Sequence, residues 1–461
     1  MKRLKVAPLV CAMLMAGCNL APTYERPEQD LPAYYQHGSG AASVSPDWWR
    51  AFDSDELSAF VARAAQGNQE LAGAISRVRQ ADIQARIAGA PLLPSISGNA
   101  GGNRNFLADN AGGGVRESLS AGLSISYEID LWGKNRNNLE AIEQGARASA
   151  FERDTVALTV TAATATSYFK VLELRERERI ALENLANAEE VLRVTEAKSR
   201  FGSISDLDLL QQQTFVEQRR AAIPGIRQQR QTAENALAIL LGEVPQDFAR
   251  QVQADSLANL LLAPEQAAGL PSELLLRRPD IRAQEARLLA ANANIGAARA
   301  ALFPSLSLTG STGYSADALQ QLFNGGNLAS SLGASLLQPI FRGGALRGAV
   351  EVSQERYVEL ASSYRQTVLT ALKEVEDALV ALREGQAQYL SQQRVLERAE
   401  RTFRLAELQY REGATDILTV LSTQQSFFSA RDNLLQNQSA QLQNQVQLYK
   451  VLGGGYGGEA I

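Results

Sequence analysis

Landmarks in this chain recur at an offset of about 210 residues, which restricts it to folds that contain one structural unit twice. Arg200-Phe-Gly-Ser-Ile-Ser-Asp206 opens a Gln-rich helical stretch that ends Leu240-Leu-Gly242, and Arg411-Glu-Gly-Ala-Thr-Asp416 opens another that ends Val451-Leu-Gly453. Upstream, Leu93-Pro-Ser-Ile-Ser97 recurs as Phe303-Pro-Ser-Leu-Ser307, and Asp130-Leu-Trp-Gly133 as Ile340-Phe-Arg-Gly343. Each copy reads as helix, strand, strand, very long helix, turn and returning helix.

The long helices exceed what a compact domain needs. Neither Gly nor Pro occurs from Ala146 to Phe201, and only Gly385 interrupts from Ala349 to Glu412, so each stretch runs about 85 to 95 Å at 1.5 Å per residue. In the second, Val368, Leu372, Val375, Leu379 and Leu382 begin a heptad seam that turns polar at one of its two positions from Gln386 onward. Pro224-Gly225 falls inside the first returning helix only, which predicts a kink there and two inequivalent repeats.

Between the helices lie strands. Leu119, Ala121, Leu123, Ile125, Tyr127, Ile129 and Leu131 alternate with Ser118, Ser120, Gly122, Ser124, Ser126, Glu128 and Asp130, giving one apolar and one small polar face. Strands are expected at about 94–106, 117–132, 304–315 and 328–341, each long enough to cross a bilayer when tilted. The hairpin loops Leu107 to Arg116 and Ala316 to Asn327 are rich in Gly, Asn and Asp. Phe106, Tyr127, Trp132, Phe303, Tyr314, Phe323 and Phe341 fall at or near strand ends, where an aromatic girdle sits or where ordinary packing would also place them. Four strands cannot close a membrane barrel, and open edges are not tolerated in hydrocarbon, so strands must be pooled among copies; three copies supply twelve. A plain coiled-coil scaffold accounts for the heptad seam but not the strands, and a passive porin needs more strands per chain.

The N-terminus sets a compartment. Lys2, Arg3 and Lys5 precede an apolar run from Val6 to Met15 that is too short to span a bilayer, followed by Met15-Ala-Gly-Cys18. This reads as a signal, residues 1–17, cut before a cysteine that is then acylated, with Asn19 favouring the outer membrane. Cys11 leaves with the signal, so neither a disulfide framework nor a cysteine metal site is expected, and the single histidine, His37, argues against His-based catalysis or zinc binding. Loss of Lys2, Arg3 and Lys5 takes 45 basic side chains to 42 against 50 acidic ones, a formal net charge of −8 that argues against a nucleic-acid partner. There is no phosphate-binding Gly loop either. No enzymatic activity and no cofactor are expected beyond the covalent lipid on Cys18.

Cys18-Asn-Leu-Ala-Pro-Thr-Tyr-Glu-Arg-Pro27, Trp48-Trp-Arg-Ala-Phe52, Arg277-Arg-Pro-Asp-Ile-Arg-Ala283, Asn294-Ile-Gly-Ala-Ala-Arg-Ala-Ala301 and Phe303-Pro-Ser-Leu-Ser-Leu-Thr-Gly310 strongly resemble the TolC-like outer-membrane efflux factors, most closely the lipoprotein subgroup of resistance-nodulation-division tripartite pumps. The resemblance runs from Cys18 to about Gly454. It implies a mixed α and β membrane protein: a homotrimer with a 12-stranded outer-membrane β-barrel, continued by a long periplasmic α-helical barrel. The domain scheme that follows has a wrap and equatorial segment at 18–56, a first repeat at 57–242, an equatorial segment at 243–271, a second repeat at 272–453 and a tail at 454–461. The implied activity is an outer-membrane efflux channel for drugs or other small toxic molecules, powered by an inner-membrane resistance-nodulation-division transporter through a periplasmic adaptor. The exit duct of a type I protein secretion system is the alternative.

In that family the tip turns, here 200–206 and 411–416, meet the adaptor, which makes Gly202, Ser203, Ile204, Gly413, Ala414 and Thr415 the contact candidates. Helix capping is the competing account of both glycines and of Asp206 and Asp416. Acids just above the turns form the family's narrow aperture; Asp206, Asp208 and Asp416 are available here, with Arg200 and Arg411 as neighbouring cations. Some members carry two further aspartates where this chain has Thr419 and Ser422, so tight packing of Leu418, Thr419 and Ser422 is the other way to close it.

Overall fold

The computed structural model describes residues 19–36, 44–107, 114–248, 251–257, 260 and 271–454. Cys18, Cys11, His37, the 108–113 loop tip, much of the second equatorial segment and residues 455–461 lie outside the described residues. The longer helices are α1 (Asp55–Gly67), α2 (Gln69–Gly89), α3 (Lys134–Arg200), α4 (Asp206–Leu240), α5 (Pro279–Ala300), α6 (Ala345–Arg411) and α7 (Ile417–Val451). The strands are β1 (Ser95–Leu107), β2 (Gly114–Ile129), β3 (Ser305–Ala316) and β4 (Leu328–Leu337). The repeat is exact in helix length where it matters: α3 and α6 have 67 residues each, and α4 and α7 have 35 each. No helix among the described residues is long and apolar enough to cross a membrane.

Two compact units emerge. The first comprises residues 1–29, 76–151 and 282–366 and holds the sheet, a four-stranded antiparallel meander in the order β1-β2-β3-β4. Its register sorts the alternating sequence into two faces. Ile96, Ile125, Gly310 and Leu332 align across the four strands on one face, and Ser97, Ser124, Ser311 and Ser331 align on the other. The serines pair by hydroxyl hydrogen bonds of 2.8 Å, Ser97 with Ser124 and Ser311 with Ser331. The apolar face has no core beneath it: Ile96, Leu123, Leu332 and Leu336 are exposed. Among the described residues neither β1 nor β4 has a neighbour on its outer edge.

Two strand ends differ from the alternation-based expectation. β2 stops at Ile129, short of the expected Trp132, because the Asp130 carboxylate turns to accept the backbone N–H groups of Asn135 (3.2 Å) and Arg136 (2.8 Å) at the start of α3. β4 stops at Leu337, short of Phe341, because Pro339 has no N–H to give a ladder.

The N-terminal segment of this unit lies antiparallel along α5. Arg299 Nη1 donates to Leu20 O at 3.4 Å, Asn292 Nδ2 to Pro22 O at 2.8 Å, and Arg26 Nε to Glu285 at 2.7 Å. Tyr357 Oη donates to Glu25 O at 3.2 Å from α6. Burial raises the Tyr24 phenol well above its ordinary range. A Cβ at Gly296 would lie 2.8 Å from Ala21 Cα, so the strap approaches where no side chain could stand.

The second unit comprises residues 30–75, 152–281 and 367–461. Its aromatic core joins the Trp48–Phe52 turn to the helices: Trp48 stacks on Tyr449 at 5.2 Å, Phe52 meets Phe169 at 5.0 Å and Phe60 meets Tyr168 at 5.6 Å. Glu56 accepts from Tyr168 Oη (2.8 Å) and from the backbone of Gln253 (2.6 Å), tying the equatorial chain to this core. Pro224-Gly225 lies inside α4, which runs continuously from Asp206 to Leu240. The missing proline N–H removes one ladder bond, and the turns on either side keep theirs.

Candidate functional site at the tip turns

Both turns are built alike. At the end of α3, Gly202 has φ +68°, its N–H donates to Ser199 O (2.8 Å), and Ser203 N–H donates to Lys198 O (2.9 Å). At the end of α6, Gly413 has φ +76°, its N–H donates to Tyr410 O (3.1 Å), and Ala414 N–H donates to Gln409 O (2.8 Å). These are paired Schellman closures, in which two orphan carbonyls are answered by the residues that leave the helix. Gly202, Ser203, Gly413 and Ala414 are exposed, and Ile204 and Thr415 half-buried. Nothing lies within 4 Å of a Cβ built on either glycine, so the constraint there is the backbone angle.

The returning helices start differently. In the first repeat Ser205, not Asp206, is the N-cap. Asp208 N–H donates to Ser205 Oγ (3.2 Å), and the Asp208 carboxylate accepts from Ser205 N (3.1 Å) and Oγ (2.8 Å). Asp206 is the exposed first helical residue, with no hydrogen bond made by its carboxylate among the described residues. In the second repeat Asp416 is the N-cap, accepting Thr419 N–H at 2.7 Å. That backbone N–H, with the Thr419 hydroxyl, holds the Asp416 carboxyl below the usual aspartate range.

The two arginines do not pair with these acids. Arg411 bonds Glu407 one turn back at 2.6 Å, and Arg200 Nε points to Glu196 O at 3.4 Å. None of the three aspartates is ion-paired with an arginine among the described residues, although Asp208 and Asp416 are engaged as caps. Leu418, Thr419 and Ser422 are exposed on the same end, and the Ser422 hydroxyl donates to Thr419 O at 3.0 Å.

Sequence reasoning missed what holds the turns together. Lys198 Nζ donates to Tyr410 O and sits 4.2 Å from the Tyr410 ring centroid, while Tyr410 Oη donates to the buried Thr195 Oγ1 at 3.4 Å. These contacts join the ends of α3 and α6, more than 200 residues apart, and no local spacing announces them. Above them Val191, Phe403, Tyr410, Ile417 and Val420 form a buried cluster, and Phe403 stacks on Phe427 at 5.7 Å. Phe201, Leu207 and Leu210 stand exposed beside the turns, an apolar rim that periodicity alone would have assigned to a core.

The sequence profile of the family described as "Outer membrane efflux protein" matches residues 60–243 and 270–454, two spans that begin 210 residues apart. The chain is 41% identical to the pyoverdine export outer membrane protein OpmQ of Pseudomonas aeruginosa, over 98% of this chain and 97% of that one. It is 33% identical to the cation efflux system protein CusC of Escherichia coli, over 98% and 99% of the two chains. The CmeC outer membrane channel of Campylobacter jejuni superposes with a TM-score of 0.89 at 28% identity, covering 95% of each chain.

Proposed function

Since this chain belongs to the outer membrane efflux protein family and is an outer-membrane efflux channel, we propose that three copies of it form the exit duct of a tripartite pump, joined through an adaptor to a resistance-nodulation-division transporter. The observation that carries the reading is the four-stranded sheet, apolar on one face with Ile96, Leu123, Leu332 and Leu336 exposed there, serine-lined on the other, and open at both edges among the described residues. Such a sheet is stable in a bilayer only when its edges are closed by further copies. Its apolar face then meets lipid, and its serine face lines a wet lumen.

Two further parts belong to this proposal. Acylated Cys18 would sit at the membrane, because the strap that follows it places Leu20 beside Arg299, and β3 begins only six residues on, at Ser305. At the opposite ends of the long helices, Gly202, Ser203, Ile204, Gly413, Ala414 and Thr415 form the adaptor-facing rim, with Asp206, Asp208 and Asp416 as an acidic ring above it.

For cargo we infer a small organic molecule rather than a free soft metal ion. The relative named for pyoverdine export is more similar than the one named for cation efflux. No methionine follows Met15, and the sequence beyond Cys18 has no cysteine and one histidine, so thioether, thiolate and imidazole ligands for such ions are nearly lacking. Expression in a channel-deficient host that retains pump and adaptor tests this. Restored export of a siderophore or dye is expected. Restored copper or silver tolerance without either would reverse the cargo reading, and no restored export of any kind would remove the duct reading.

A further inference from the structure

The strand-to-helix junction of the first unit contains a cavity of about 200 Å3 that the duct reading does not use. Trp132, Phe303, Leu337 and Leu346 make its apolar wall, and the charged lining is Glu128, Asp130, Lys134 and Arg342. The wall is fixed: Trp132 and Phe303 stack at 4.9 Å, and the indole Nε1 donates to Pro304 O at 2.8 Å.

Charge around it is unbalanced. Lys134 answers Glu128 at 2.8 Å and Arg136 answers Asp130 at 3.3 Å. Arg342, and Arg347 in the first turn of α6, have no acid partner among the described residues. The duplication sharpens the contrast. Where the first repeat has Asp130-Leu-Trp-Gly133, the second has Ile340-Phe-Arg-Gly343, and Ile340 and Phe341 are 92% and 87% exposed. Two bare apolar side chains next to two unmatched guanidiniums are poorly suited to water. The same set suits a bilayer boundary, with the apolar pair in the acyl layer and the guanidiniums on phosphate.

We propose that this junction binds an anionic phospholipid headgroup, with Arg342 and Arg347 on the phosphodiester and Ile340 and Phe341 among the first methylenes of the chains. The Trp132–Phe303 wall would take the glycerol portion. The proposal rests on the barrel reading above. Free phosphate would meet the same arginines but gain nothing from the apolar pair, so the lipid is the better ligand.

The test uses the full chain purified in detergent, observed by native mass spectrometry with phosphatidylglycerol, phosphatidylcholine or inorganic phosphate added. The expected result is selective retention of phosphatidylglycerol, unaffected by inorganic phosphate. Retention falls about tenfold or more in Arg342→Gln/Arg347→Gln and is largely restored in Arg342→Lys/Arg347→Lys. Equal retention in wild type and the glutamine double variant overturns the site, and so does displacement of the lipid by inorganic phosphate. Dissociation of the glutamine variant into monomers also overturns it, because the patch would then be a contact between copies. A wild-type protein that is itself monomeric would instead count against the barrel.

Discussion

Asp416 is asked to do two things, and they separate by substitution. As an N-cap it needs only an oxygen acceptor for Thr419 N–H; as part of an aperture ring it needs a charge. Asn supplies the first without the second. Asp416→Asn should therefore lower the thermal unfolding temperature less than Asp416→Ala does, while reducing the cation preference of single-channel conductance in planar bilayers as much as Asp416→Ala. Unaltered selectivity in Asp416→Asn, and also in Asp206→Asn and Asp208→Asn, would move closure to Leu418, Thr419 and Ser422. The pH dependence has a definite sign. The carboxyl is held below its ordinary range, so its contribution is complete above the unfolded-state pKa and disappears as pH falls through the lowered value. Cation preference should accordingly survive acidification to about pH 4, the range in which an unperturbed aspartate is already half protonated.

At the scale of the element, helix length and helix ending come from different physics. α3 and α6 extend because nothing in them stops a helix, and they end at Gly202 and Gly413 because the closing residue needs positive φ. Replacing either glycine by Ala should destabilise its turn by about 1 kcal/mol, seen as faster proteolytic cleavage at the tip. Because no atom crowds either position, a larger loss of adaptor binding than of turn stability, in a pull-down with the purified adaptor, would mark a direct contact. Equal losses would leave the glycines as caps. The turns and the strand alternation were legible in sequence because each depends on residues a few positions apart, and the paired repeat because its landmarks recur at a constant offset. The Ser205 cap was less so: Ser205-Asp-Leu-Asp208 offers three cap-competent side chains within four residues, and only geometry chooses among them. Lys198 against Tyr410, and Phe403 against Phe427, were invisible because they depend on which long helices lie side by side. Pro224 does not end α4, since one lost backbone bond does not outweigh the ladder around it.

For the whole molecule, the decisive interaction is one a single chain cannot make. β1 and β4 each end the sheet with a row of unpaired backbone groups, and hydrocarbon would penalise every one of them. Closing the sheet against itself is ruled out by strand number, so β4 of one copy must meet β1 of the next. The chain is well suited to a direct test, because after Cys11 and Cys18 it has no other cysteine. With Cys11→Ser and Cys18→Ser, one cysteine scanned along β1 from Ser95 to Asn105 and one along β4 from Ala329 to Leu336 can form disulfides only between introduced residues. In matching antiparallel register, oxidation in outer-membrane vesicles should yield a ladder of monomer, dimer and covalent trimer, and two-position slips should yield little. Cross-linking that stops at the dimer, or a ladder that continues past three, would contradict a twelve-stranded barrel even if the protein remained an efflux channel in export assays.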